Sequence, residues 1–277
     1  MEVPINVDPD TMRRILIHEA QVHATPGRTL RDLGDGILLH DPTDPEPFWN
    51  RLAAVRWPQE ADAFDRRLTE VLVLFATIAR QPHIWPSPAH DAPADLIARL
   101  LASGFRDMGA GMVMATTNPP EAATDEPPTP SGITLERVTR LTGPPAKALG
   151  SAIVQVLTDA FEVFSERESG VEAETIESLG HPWFTHYLVR LDGQPAAVAR
   201  RATFDGLSYI SSIGTASWAR GRGFGRIVTA TATRDALDAG SAWVYLGVFA
   251  DNAVAIRLYE GLGYERIGEA VPDLLLV

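Results

Sequence analysis

Between Arg220 and Gly225 the chain reads Arg-Gly-Arg-Gly-Phe-Gly, after the strand-like Leu207–Trp218 and before a helix-compatible run that ends at Gly240. That order, strand then glycine-rich turn then helix, restricts the region to an α/β connection. Glycines at 221, 223 and 225 remove the Cβ atoms that would block a phosphate. The first turn of the helix offers unpaired backbone N–H groups and the positive end of its dipole, so the turn suits an anion. A lone turn of this kind also serves as a tight connector, and a second segment is needed to give it a chemical meaning.

That segment follows the strand-like Ala242–Phe249 and reads Asp251-Asn-Ala-Val-Ala-Ile-Arg-Leu-Tyr-Glu-Gly-Leu-Gly-Tyr-Glu-Arg-Ile-Gly268. The two segments together resemble the GNAT acetyltransferase superfamily over roughly residues 132–277. In that family an Arg/Gln-x-x-Gly-x-Gly/Ala turn holds the pyrophosphate of acetyl-CoA, and Arg220, Gly223 and Gly225 match its marked positions. The resemblance implies a mixed α+β fold and acetyl-CoA as co-substrate. The pyrophosphate would sit on the backbone amides of Gly221, Arg222, Gly223, Phe224, Gly225 and Arg226, flanked by the side chains of Arg220 and Arg222. It further implies that Asn252 positions the CoA arm and that Tyr259 protonates the departing thiolate.

Chemistry read from the residues agrees. Acyl transfer from a thioester to an amine needs a held diphosphate, donors for a developing oxyanion, a proton acceptor and a proton donor. Gly214 lies inside the strand, where glycine marks a bulge or a close backbone approach, so N–H groups of Ile213, Gly214 and Thr215 are candidate donors to the thioester carbonyl. A tyrosine with a pKa near 10 is protonated at neutral pH and donates readily to a thiolate. The base departs from the family pattern: many members carry a Glu on the strand before the turn, whereas Leu207–Trp218 contains no acidic residue. Glu162, Glu166, Glu168 and Glu172, with His181 and His186, are the alternatives, each also readable as a surface or loop residue, and no base is assigned.

An internal echo sets the domain organisation. Ala94–Gly109 repeats Ala253–Gly268 at an offset of 159, pairing Ala94 with Ala253, Gly104 with Gly263 and Phe105 with Tyr264. At the same offset Arg220, Gly223, Gly225, Asn252 and Tyr259 fall on Ala61, Phe64, Arg66, Pro93 and Leu100, so every functional position is lost. The expected layout is a degenerate GNAT-like domain over 1–115 that binds no CoA, a Pro-rich acidic linker over 116–131, and the acetyltransferase domain over 132–277. Each domain is expected to be a mostly antiparallel mixed sheet flanked by helices. Expected strands and helices are Phe48–Trp57, Phe64–Arg80 and His83–Trp85 in the first. In the second they are Ile133–Thr139, Pro145–Phe164, Glu172–Leu179, Phe184–Leu191 and Ala196–Phe204, with Asp-Gly turns at 192–193 and 205–206.

Composition sets the remaining bounds. The chain has 277 residues, no Cys and no apolar run near twenty residues, which leads to the expectation of a cytoplasmic protein without a membrane span. A net charge of −12 argues against a nucleic-acid partner and weakly favours a cationic acceptor, such as an amine-bearing small molecule or peptide. The histidines lack metal-ligand spacing, so no metal is expected. Structural support, pairing into a homodimer and shaping of the acceptor site are the roles open to the first copy. The main alternative to an N-acetyltransferase is a catalytically silent acyl-CoA-binding or interaction module.

Overall fold

The computed structural model describes residues 7–25, 27–120 and 132–277. Among these residues the protein is mixed α/β, with seven α-helices and mostly antiparallel strand pairing. It divides into two compact units. One holds Met1–Met114, Gly247–Ile256 and Glu265–Val277, the other Ala115–Leu246 and Arg257–Tyr264. The boundaries expected from the linker are therefore not those of the compact units. The C-terminal strand pairs Leu274 with Ile84 and Leu275 with His83, which brings the last residues into the first unit. Of the expected linker, residues 121–131 lie outside the described residues.

The first unit begins with α1 (Pro9–Ala24), capped by Asp8, whose carboxylate accepts the N–H groups of Asp10 and Thr11 at 3.1 and 3.0 Å. Then come β1 (Thr29–Asp32), β2 (Ile37–His40), β3 (Arg51–Ala53), α2 (Ala61–Thr77), β4 (His83–Ile84), α3 (Leu96–Ala102) and β5 (Phe105–Thr116). The expected strand Phe48–Trp57 shrinks to β3, because Pro47 opens a 3₁₀ turn through Trp49 and Ala54 takes φ +54°. Helix α2 starts three residues earlier than expected, at Ala61, because the Glu60 side chain caps it. Its buried residues Phe64, Leu68, Val71 and Phe75 recur at helical spacing and pack with Leu52, Ile84, Leu100 and Leu274.

The second unit runs β6 (Ile133–Val138), α4 (Gly143–Phe161), α5 (Ser165–Gly180), β7 (Phe184–Leu191), β8 (Gln194–Phe204), β9 (Leu207–Thr215), α6 (Phe224–Asp238) and β10 (Trp243–Phe249). After these come α7 (Ala253–Glu260) and β11 (Glu265–Leu276), parts of which belong to each unit or to the first. Strand order in the second unit is β10-β9-β8-β7-β6. Both Asp-Gly pairs form two-residue hairpins, with φ of +50° and +83° at 192–193 and +50° and +73° at 205–206. Helix α4 stops before its expected end because Glu162 is left-handed at φ +51°. Helix α5 extends well beyond Glu172–Leu179, its first turn favoured by Glu166 and Glu168 at the positive end of the dipole.

The offset of 159 reappears in the elements. α2, α3 and β5 fall on α6, α7 and β11, and in both places a strand, a helix and a parallel strand follow in order, β3 with β4 and β9 with β10.

In the first unit a buried ion pair joins α1 to β3. The Arg51 guanidinium, 1% exposed, donates to both Glu19 carboxylate oxygens at 2.7 Å and lies 4.3 and 4.2 Å from the Phe48 and Trp85 ring centres. Burial alone would raise the Glu19 pKa, but Arg51 and His23 outweigh it and hold the carboxyl well below its usual 4.5. A depressed acid stabilises the fold above its unfolded pKa and loses that contribution as pH falls through the folded value. Denaturant midpoints should therefore drop as pH falls below 4.5. Glu19→Ala at neutral pH should cost about 3–5 kcal/mol, because it strands a buried guanidinium. A loss under about 1 kcal/mol by urea titration would show the pair to be energetically idle.

Candidate active site

The glycine-rich turn leaves β9 through a 3₁₀ turn, Ser217–Ala219, and enters α6 at Gly223. Gly221 and Gly223 have φ of +76° and +80°, and a Cβ at either would meet open space. The backbone conformation thus calls for glycine, while the space beside it is free. Gly223 as N-cap has no side chain to offer, and the first backbone bond into the helix is from Ile227 N–H to the Gly223 carbonyl at 3.0 Å. The N–H groups of Phe224, Gly225 and Arg226 are left as first-turn donors with no side-chain cap.

The residues read from sequence as phosphate holders separate into two kinds. Gly221, Arg222, Gly223 and Arg226 are exposed, whereas the Phe224 side chain is buried in the core and only its backbone can serve a ligand. Arg220 donates to the Ala160 carbonyl at 3.3 Å, Arg226 donates to the Gly261 carbonyl at 2.8 Å, and Arg222 sits 6.0 Å from the Trp218 ring centre. Arg222 is therefore the better placed of the two flanking arginines to follow an anion. Gly225 answers to packing: a Cβ there would stand 3.1 Å from Thr215 Oγ1.

Strand β9 carries a bulge close to where Gly214 suggested one. Val198 pairs with Gly214 and Arg200 with Ser211, so Ser212 and Ile213 together oppose Ala199. Ser212 takes φ +52°, a conformation that costs a non-glycine residue about 1–2 kcal/mol. Gly214 itself serves close approach, since a Cβ would lie 3.0 Å from Ala160 Cβ on α4. Ser211 and Gly214 thus both face the α4/α5 side although three residues apart, and Thr215 turns to α6. The parallel register with β10 covers Leu207–Tyr209 and Trp243–Tyr245; from Ile210 onward β9 is paired on its β8 side. The backbone of Ile213, Gly214 and Thr215 therefore lies on a stretch without a parallel partner strand.

Tyr259 lies on α7, 6% exposed, its pKa pushed up to about 12 by burial. It stays protonated through the neutral range. Its ring centre is 6.0 Å from that of Tyr264, whose hydroxyl bonds Thr233 at 2.7 Å. Asn252 groups with the first unit, where its Oδ1 accepts the Ala255 N–H at 3.1 Å and caps α7.

The base candidates fare unequally. Glu162, Glu166 and Glu168 are exposed, and half-buried Glu172 accepts from Ser151 Oγ at 2.8 Å. His181 accepts the Trp183 N–H at 3.3 Å, and its pKa is lowered by burial. His186 is buried against Ser178 Oγ at 2.9 Å, and burial together with Arg200 pushes its pKa down to about 3, far too low for a base at neutral pH. Sequence reasoning missed two contacts that shape the site. Asp159 accepts from both the backbone and the side chain of Ser217, tying the end of α4 to the turn, and Arg200 holds Ser211. Neither carries a sequence signal, because each partner lies on a separate element.

Comparison with known proteins assigns the region. The model of the Acetyltransferase (GNAT) family matches residues 151–264. Mycothiol acetyltransferase of Nocardiopsis dassonvillei is 49% identical over 45 residues, a match that spans 16% of this chain and 14% of that protein. A GCN5-related N-acetyltransferase from Kribbella flavida superimposes with a TM-score of 0.68 at 22% identity, over 95% of this chain and 94% of that one. A tandem GNAT protein from the clavulanic acid biosynthesis pathway does so with a TM-score of 0.60 at 15% identity, over 99% and 96%. At these identities the two structures speak to the fold, and the family match speaks to the domain. The bulged strand, the uncapped N-terminus of α6 and Tyr259 accordingly lie within the region that the Acetyltransferase (GNAT) family model matches.

Proposed function

We propose that the protein is an acetyl-CoA-dependent N-acetyltransferase acting on a primary amine of a small molecule or peptide. The observation that carries this reading is the α6 N-terminus, uncapped by any side chain and opened by two glycines with free space beside them. GNAT enzymes use acetyl-CoA, which supplies the acetyl group as a thioester. In this chain the amides of Gly221 to Arg226, with Arg222 and Arg220, would hold the diphosphate. Amides around Ile213, Gly214 and Thr215 would stabilise the oxyanion that develops as the amine nitrogen attacks the carbonyl carbon. As the carbon–sulfur bond breaks, Tyr259 would give its proton to the thiolate. With no carboxylate on β9, the amine proton would leave to a carboxylate from another element or to water.

The first-unit region 1–115 is, on this proposal, a degenerate copy that binds no CoA. Support comes from α2, where the Glu60 carboxylate accepts the N–H groups of Asp62 and Ala63 at 3.1 and 2.8 Å. The donors that α6 leaves open are thus occupied by a negative charge. A second reading, a silent acyl-CoA-binding module, draws on the missing carboxylate of β9. Thiol release across a broad amine panel separates the two: silence despite tight cofactor binding favours the module.

Calorimetric titration should show one equivalent of acetyl-CoA, and Gly223→Glu should abolish it by straining the turn and placing a carboxylate at its mouth. Absence of binding to the unaltered chain would end the acetyltransferase reading. Tyr259→Phe should lower turnover roughly 10- to 100-fold while acetyl-CoA affinity changes little. Unchanged turnover would remove Tyr259 from the mechanism.

A further inference from the structure

We propose that Arg200 is a positioning residue for acyl transfer: from β8 its guanidinium clasps the β9 bulge and fixes the direction in which the Ser212–Gly214 backbone faces. The catalytic part of this role rests on the acetyltransferase reading, and the clasp itself does not. His186, Arg200 and Ser211 are register partners on β7, β8 and β9, a polar row across three strands beneath α5. Arg200 is 6% exposed and donates from Nε to Ser211 Oγ at 3.2 Å and from Nη1 to Glu174 on α5 at 3.2 Å. Its guanidinium lies 5.0 Å from the Phe184 ring centre. One helical turn beyond Glu174, Ser178 closes the row by bonding His186.

Three features make this row a clasp for the bulge. The register slips between Val198 and Arg200, so the guanidinium anchors the first paired residue on one side of the extra one. Ser212 borders a small cavity lined also by Ile153, Leu157, Thr175, His186 and Arg200. That cavity offers the centre of a water-sized molecule only about 10 Å³, room for a single water at most. A left-handed serine over such a gap persists where its neighbours are fixed, and Ser211 is the neighbour that Arg200 fixes. Finally, a buried charge is a poor way to gain stability, since an apolar side chain would fill the same space at less cost in desolvation. What the guanidinium adds is direction: it joins α5 to one residue of β9 in one register. A slip by one residue would turn Gly214 away from α4 and Thr215 away from Gly225.

The test pairs amide hydrogen exchange with kinetics in Arg200→Met, Ser211→Ala and Glu174→Gln, with Arg200→Lys as the conservative variant. Ser211→Ala removes one hydroxyl and keeps the charge pair, so it guards against a failure of Arg200→Met to fold. Exchange at Ser212–Thr215 should rise about tenfold or more in Arg200→Met and Ser211→Ala, with the global unfolding transition retained. Turnover should fall roughly 10- to 100-fold with acetyl-CoA affinity little changed, and Arg200→Lys should recover part of it. Unchanged exchange at these amides overturns the clasp whatever the activity. Raised exchange with unchanged turnover overturns the catalytic role. An unaltered protein that binds no acetyl-CoA overturns the acetyltransferase reading and with it the catalytic role, while exchange still decides the clasp.

Discussion

The extra residue in β9 is the constraint on which the site geometry depends. In a regular strand, residues three apart face opposite sides. Because Ser212 and Ile213 share one partner, Ser211 and Gly214 face the same side, and everything after the bulge is turned over relative to the strand before it. Gly214 then meets Ala160 at the end of α4, and Thr215 meets Gly225 at the start of α6. The chain is thereby delivered to the glycine turn and to the start of α6, whose N-cap offers no side-chain hydrogen bond. The left-handed conformation of Ser212 is the local cost of that arrangement.

The two corresponding helix starts, α2 and α6, show how little chemistry separates an open helix start from a closed cap. Both follow a strand and precede a parallel one. At α2 the Glu60 carboxylate takes two of the first-turn N–H groups and is itself held below its ordinary pKa by them. At α6 the cap is glycine, the first turn holds no acidic residue, and the donors stay open. A carboxylate and a diphosphate compete for the same dipole and the same N–H geometry, so the presence of one within the fold excludes the other.

One buried ion pair in each unit is built in the same way. Arg51 with Glu19, and Arg200 with Glu174, place a guanidinium against an aromatic ring and a carboxylate, and each joins a helix to a strand. Such pairs gain little net stability over apolar residues, yet they tolerate only one mutual placement because the guanidinium fork is rigid. In the first unit that rigidity sets α1 on the sheet. In the second it sets α5 on β8, the strand that pairs with the bulge.

Much of the second unit was legible in the sequence, because its signals are local. Asp192-Gly193 and Asp205-Gly206 demand left-handed turn residues and so determined the meander of β7, β8 and β9. Gly221 and Gly223 determined an open turn, and Gly214 pointed to the bulge within two residues of its place. The strand expected over Phe48–Trp57 is cut to Arg51–Ala53 because Pro47 opens a 3₁₀ segment that takes in Phe48 and Trp49. The unit boundaries, the Arg200 clasp and the Asp159 tie to Ser217 were decided by tertiary structure alone. Each joins residues far apart in the chain, and no spacing or local propensity encodes which strands pair or which face a side chain takes once a bulge has shifted the register. The sequence by itself thus determined which backbone could form an open glycine turn; the pairing of β9 with β8 decided which way the strand before it faces.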